Sequence, residues 1–112
     1  MQVLGGTLIV TKATPIRITV SLKPGDYAGQ DADWWVYGGT SEYGEYSFIY
    51  GTGWRSGKHL SYRGRIFDLA SFTVADGKLP VGNYLITFAI DNNADGRRDN
   101  TWKDSIRIIV TQ

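Results

Sequence analysis

From Leu79 to Val110 the chain reads LPVGNYLITFAIDNNADGRRDNTWKDSIRIIV, two apolar runs of period two on either side of a polar loop. Alternation over 84–90 puts every second side chain on one face, which suits a strand and not a helix. The Asp- and Asn-rich segment between the runs has turn chemistry, so the stretch is expected to form a β-hairpin. No segment elsewhere in the chain shows helical periodicity.

The loop, Asp91-Asn92-Asn93-Ala94-Asp95-Gly96-Arg97-Arg98-Asp99, follows the pattern D-x-N-x-D-G-x-x-D. A hard divalent cation takes roughly six to eight oxygens, and calcium loops offer them from alternate residues. Asp91, Asn93 and Asp95 fill the first, third and fifth slots and Asp99 the ninth. Gly96 stands where the chain must turn, and Arg97 would offer its backbone carbonyl. The pattern resembles the first part of an EF-hand or dockerin calcium loop. It departs where a bidentate Glu is expected and Trp102 stands, and the incoming segment alternates like a strand, so an EF-hand domain is excluded. Asp104, two residues further on, is the candidate for the missing carboxylate. A structural calcium ion is therefore expected on Asp91, Asn93, Asp95, Arg97, Asp99 and Asp104. The alternative is a solvated Asp-Gly turn.

At 112 residues the chain makes one domain, 1–112, long enough to bury a core. Fourteen Gly, four Trp, seven Tyr and four Phe among many β-branched residues favour an all-β fold. The formal charge of +1, with Lys and Arg scattered, draws neither nucleic acid nor an acidic membrane. Cysteine is absent, so no disulfide framework constrains the fold. A calcium loop of ordinary affinity fills most readily outside the cell, which leads to the expectation of an extracellular or cell-surface location. Met1 to Gly6 lacks the charged start and apolar run of a secretion signal, so the chain is expected to be either a mature or excised domain or a cytosolic protein. No stretch approaches a membrane span.

Strands are expected at 7–11, 16–22, 32–37 and 45–50, with one bent strand or two short ones over 65–74, before the hairpin. The segment 51–59, with Trp54 at its middle, reads as a loop, and Asp76-Gly77 as a turn. Ile16, Ile18, Val20 and Leu22 are expected to face inward. Trp34 and Val36 share one face of their strand, Trp35 and Tyr37 the other; one is core, and the other is covered by a loop or open. These seven to eight strands, with turns recurring between them, predict an immunoglobulin-like antiparallel β-sandwich. Tyr84, just after a Gly turn at a strand start, resembles the tyrosine corner of that architecture, and Trp34 or Trp35 the position of its core Trp. The run from Gly6 to Lys12, set off by Ala13-Thr14-Pro15, is an ordinary first strand or one that a second copy could receive, as in a filament.

Three motifs, Leu22-Lys23-Pro24-Gly25-Asp26-Tyr27-Ala28-Gly29, Asp31-Ala32-Asp33-Trp34-Trp35 and the LPVGNY…FAIDNNADGRRD…W-x-D-S tail, make the chain similar to uncharacterised bacterial β-sandwich modules of secreted and surface proteins. The resemblance runs from Pro15 to Val110. It implies a non-catalytic accessory module appended to other domains, with a strand, metal-type loop and strand at its end.

Catalytic constellations are weak. Ser56, His59 and Asp68 could be written as a triad, yet nothing in their spacing supports one. Glu42 and Glu45 flank a turn without a defined cleft. No enzyme is expected. The segment from Trp34 to Trp54 is rich in rings, and if Trp35, Tyr37, Tyr43 and Trp54 line one open face, a polysaccharide platform follows. The bland reading is that these rings pack the core. The expected role is a structural or adhesion module of a larger surface protein, its partners the neighbouring domains, copies of itself, or polysaccharide.

Overall fold

The alternation of Ile16-Arg17-Ile18-Thr19-Val20-Ser21-Leu22 is realised as a strand that buries Ile16, Ile18 and Leu22 and leaves Arg17 and Thr19 in solvent. The computed structural model describes residues 6–40, 44–92, 95–98 and 102–112. Among them run nine strands: β1 (Gly6–Thr11), β2 (Ile16–Leu22), β3 (Asp31–Thr40), β4 (Gly44–Ile49), β5 (Gly53–Ser56), β6 (Tyr62–Arg65), β7 (Leu69–Gly77), β8 (Gly82–Asp91) and β9 (Trp102–Thr111). One 3-10 turn, Gly25–Tyr27, follows β2. No helix of the described residues is long and apolar enough to cross a membrane.

The strands form two sheets. The larger runs β1-β9-β8-β3-β4-β5, with β6 also paired to β3; β2 and β7 make the smaller. The expected hairpin is β8–β9, antiparallel from Gly82–Val110 to Ile90–Trp102. One expectation is corrected here. The sheet is mixed rather than antiparallel, because β1 runs parallel to β9 over six register pairs. No hairpin links these two strands, so no turn dictates their relative direction. The ladder continues where the Lys12 amide donates to the Thr111 carbonyl at 2.9 Å.

Between the sheets lies one core. Ile16, Ile18 and Leu22 from β2 and Val74 from β7 meet Trp34, Val36, Phe88, Ile90, Ile108 and Val110 from the larger sheet. Leu22, Ile66, Ile90 and Ile108 are fully buried, each stabilising the fold by about 1.5–3 kcal/mol relative to exposure. Trp54 ties the layers together, its indole N–H donating to the Val74 carbonyl at 2.7 Å. At the corner before β8, the Tyr84 hydroxyl donates to the Pro80 carbonyl at 2.7 Å.

Two further local expectations change. The segment 51–59 contains β5, which pairs Trp54 with Phe48 across β4. Gly77 ends β7 instead of making a turn, with φ at 128° and opposite Ile16. The middle strands are buried on both faces over Ala32–Val36 and Thr87–Asp91, so the outer face of the larger sheet is covered there too. Part of that cover is the segment after β5. Ser47 donates to the Gly57 carbonyl at 2.8 Å and accepts from the His59 amide at 3.0 Å. Ser61 accepts from the Val36 amide at 2.7 Å, bridging the gap on β3 between its β4 and β6 pairings.

Candidate functional site

Gly96 and Arg98, in the described part of the Asp-rich loop, lie against the outer face of the larger sheet. Asp33 on β3 and Asp91 on β8 are register partners, and both are fully buried. A buried carboxylate needs donors, and Asp33 has three contacts. Arg63 Nε donates to its Oδ1 at 2.7 Å, and Arg63 Nη2 and the Gly96 amide donate to Oδ2 at 3.3 and 2.7 Å. Gly96 reaches that position with φ at 81°, a left-handed conformation that favours glycine. The Arg63 guanidinium is half-exposed. Its pKa is raised, first by the hydrogen bond to Asp33 and then by the Asp33 charge, against a smaller cost of desolvation, with the Asp95 charge adding least.

Of the six expected cation ligands, Asn93 and Asp99 lie outside the described residues. Asp91 is buried at the head of the loop, while Asp95 and Arg97 are exposed. Asp95 Oδ1 accepts the Arg97 amide at 2.9 Å, the closure of an Asx turn. Asp104 is not placed to complete the set. It stands opposite Phe88 on β9, so the pleat puts it on the core side, away from Asp91. Its Oδ1 accepts the next amide, Ser105, at 2.8 Å. Among the described residues no three His, Asp or Glu side chains converge as a metal group would require. The basic partner of Asp33 is Arg63, two strands of chain away from the loop and not foreseen from the loop's own spacing.

Among the described residues, Trp35, Tyr37 and Trp54 do not share an open face. Trp35 is 2% exposed, and Tyr37 lies beneath the Arg98 guanidinium, 3.8 Å from its ring centroid. Arg98 also donates to Glu45 at 2.8 Å, and Lys58 stands 6.0 Å from the Trp35 ring. A largely desolvated guanidinium over a ring contributes roughly 0.5–2 kcal/mol, so the loop is pinned across these aromatics. Trp54 is on the opposite side of the sheet, edge-on to Phe48 at 5.7 Å. Tyr43 lies outside the described residues. The His59 ring meets the Ser56 carbonyl, at 2.9 Å, and not its hydroxyl, while Asp68 is exposed.

A different set of rings gathers at one open end of the space between the sheets. Trp34 packs against Phe67 at 4.9 Å and against Tyr62 and Phe88 at 6.0 Å. Tyr50 meets Tyr62 at 5.7 Å and Phe72 at 6.0 Å. Tyr50, Tyr62, Phe67 and Phe72 are 59, 39, 45 and 36% exposed, though large apolar rings ordinarily lie inside. Behind them is a cavity of about 250 Å³, reaching to Trp34, Val36 and Phe88, with no charged side chain in its lining. Of these four rings only Tyr50 had a signal in the sequence, sharing a face with Tyr46 and Phe48. Phe67 and Phe72 fall in a stretch of weak alternation; Phe67 lies between β6 and β7, and Phe72 within β7 opposite Val20. No known protein family, curated protein or solved structure matches the chain.

Proposed function

We propose that this chain is an immunoglobulin-like, non-catalytic interaction module of an extracellular or cell-surface protein, and that it docks through the aromatic mouth between its sheets. The carrying observation is the joined set of exposed rings, Tyr50, Tyr62, Phe67 and Phe72. Contiguous apolar surface of this kind marks interaction sites. The immunoglobulin-like assignment is supported by strand order. β9-β8-β3-β4-β5 follows the G-F-C-C′-C″ sheet of variable-type domains and β2–β7 the B–E pair. Tyr84 and Trp34 supply the corner and the core indole.

The test is fluorescence of an anilinonaphthalene dye with the wild-type chain and with Phe67→Ala/Phe72→Ala. Bright binding by the wild type, lost in a variant of unchanged circular dichroism, supports the mouth as the docking surface. Equal binding by both would remove it.

The second part of the proposal is a stabilising calcium ion at the Asp91–Asp99 loop, supported by the D-x-N-x-D-G-x-x-D spacing and by the burial of Asp91 beside Asp33. A ligand that binds only the folded state raises its stability by mass action. Chelation should lower the melting temperature of the wild type, and Asp95→Ala should abolish most of that response. A melting temperature indifferent to chelator would discard the ion.

A further inference from the structure

We propose that β1 pairs edge to edge with β1 of a second copy, antiparallel about a two-fold axis at Ile9, so that the larger sheet continues through a closed dimer. That edge lies across the sheet from β4 and β5, so the dimer leaves the aromatic mouth open and does not depend on it.

Edge strands carry a row of unpaired N–H and C=O groups, and proteins blunt them by shortness, charge, proline or a bulge. The other edges show these devices. β5 is four residues long and includes Arg55. β2 and β7 pair with two breaks in register and carry the Arg17–Asp76 ion pair. β1, hydrogen-bonded to β9 alone, keeps unbroken register over Gly6-Thr7-Leu8-Ile9-Val10-Thr11, with no charge and no proline. Ile9 is 68% exposed, more than any other large apolar side chain among the described residues. Three hydrogen bonds tell which backbone groups face outward. The Lys12 amide donates to the Thr111 carbonyl at 2.9 Å and the Thr111 hydroxyl to the Val10 carbonyl at 3.3 Å, so Lys12 and Val10 turn toward β9. The Thr11 carbonyl is instead taken by the Thr14 amide at 3.1 Å. Successive residues of a parallel ladder turn their backbone groups to opposite sides. The N–H and C=O of Thr7 and Ile9, with the N–H of Thr11, are therefore directed at the open edge.

The order of residues in the strand selects the occupant. From either end, Thr7-Leu8-Ile9-Val10-Thr11 reads threonine, aliphatic, isoleucine, aliphatic, threonine. In an antiparallel ladder centred on Ile9, that residue meets Ile9 of the second copy, Thr7 meets Thr11, and Leu8 meets Val10. Threonine against threonine and β-branched against aliphatic are pairs that stabilise antiparallel ladders. Lys12 falls opposite Gly6, so no like charges meet. Val10 already packs against the core, and the apolar layer runs on across the axis. The strand is thus its own complement. A two-fold contact of this kind closes at two copies, whereas a donated strand would link copies into a filament.

One short ladder buries less than the roughly 1,000 Å² of a stable interface, so the test is sedimentation of the full chain over about 10 µM to 1 mM, where weak association shows. The wild type should rise toward twice the mass of one chain and no further. Ile9→Pro removes an outward N–H and no bond to β9, a place where edge strands tolerate proline. Ile9→Lys keeps that N–H and sets two like charges at the axis. Both should retain the wild-type circular dichroism and lose at least about tenfold in dimer affinity, the worth of one or two hydrogen bonds. Should Ile9→Pro unfold, Ile9→Lys decides. Leu85→Lys, on β8 and exposed on the same outer face as Ile9, should dimerise like the wild type, and so should Phe67→Ala/Phe72→Ala at the mouth. A wild type that stays monomeric throughout overturns the proposal, as does a dimer that survives both Ile9 variants. Loss of the dimer in Leu85→Lys or in the mouth variant would also overturn it, and so would a mass that climbs past two copies.

Discussion

At the scale of single residues, the contact that most shapes the outer face is Asp33 with Arg63. Asp33 has no solvent exposure, so its charge relies on the guanidinium and on the Gly96 amide. Removing one partner of such a pair is worse than removing both, because a lone buried carboxylate remains. Arg63→Ala should therefore melt below Arg63→Ala/Asp33→Asn, in which an amide oxygen still accepts from Gly96. Equal melting temperatures would show that Asp33 does not depend on Arg63. The pH dependence has a definite sign. A base whose folded pKa is raised stabilises the fold until pH climbs through that value, here above arginine's ordinary range. The gap between wild type and Arg63→Ala should thus stay level from about pH 7 to pH 10, and a gap that closes on that interval would contradict the pairing. None of this was legible in the loop motif. The spacing points to Asp91 and Asp95, whereas Asp33 and Arg63 join them through strand register, which no local pattern encodes.

At the scale of elements, alternation identified β2 over its full length and both strands of the hairpin, because each has one face in the core and one outside for much of its run. It failed where that contrast vanishes. β5 is four residues long between glycine-rich turns, and only its pairing with β4 makes it a strand. The parallel direction of β1 is a pairing of chain ends, which no turn sequence announces. Close packing between β3 and β8 is specific enough to test. A Cβ at Gly38 would stand 2.6 Å from the Ile86 Cδ1, below any normal contact. Gly38→Ala should destabilise the domain by about 0.5–1.5 kcal/mol in chemical denaturation, the cost of turning the Ile86 tip off its rotamer, with Ile86→Val in the same chain restoring most of it. A neutral Gly38→Ala would mean that the Ile86 side chain yields freely.

At the scale of the whole molecule, two aromatic groups compete for the role of surface. The sequence places Trp35, Tyr37, Tyr43 and Trp54 within one segment, and proximity along the chain suggests a shared platform. The sheet separates Trp54 from Trp35 and Tyr37. Trp35 and Tyr37 are roofed by Arg98 and the loop, and Trp54 turns inward to Val74. Four of the rings left in solvent gather at one opening between the sheets, Tyr50 just past β4, Tyr62 at the start of β6, Phe67 between β6 and β7, and Phe72 within β7. The docking surface, on this account, is a property of where the layers end rather than of any motif. Solvent paramagnetic relaxation, with a neutral gadolinium chelate and assigned ring protons, tests that claim most directly. Strong broadening is expected at Tyr50 and Phe67 and none at Trp35. Broadening at Trp35 and Tyr37 with Tyr50 and Phe67 spared would contradict it and return the outer face to the platform reading.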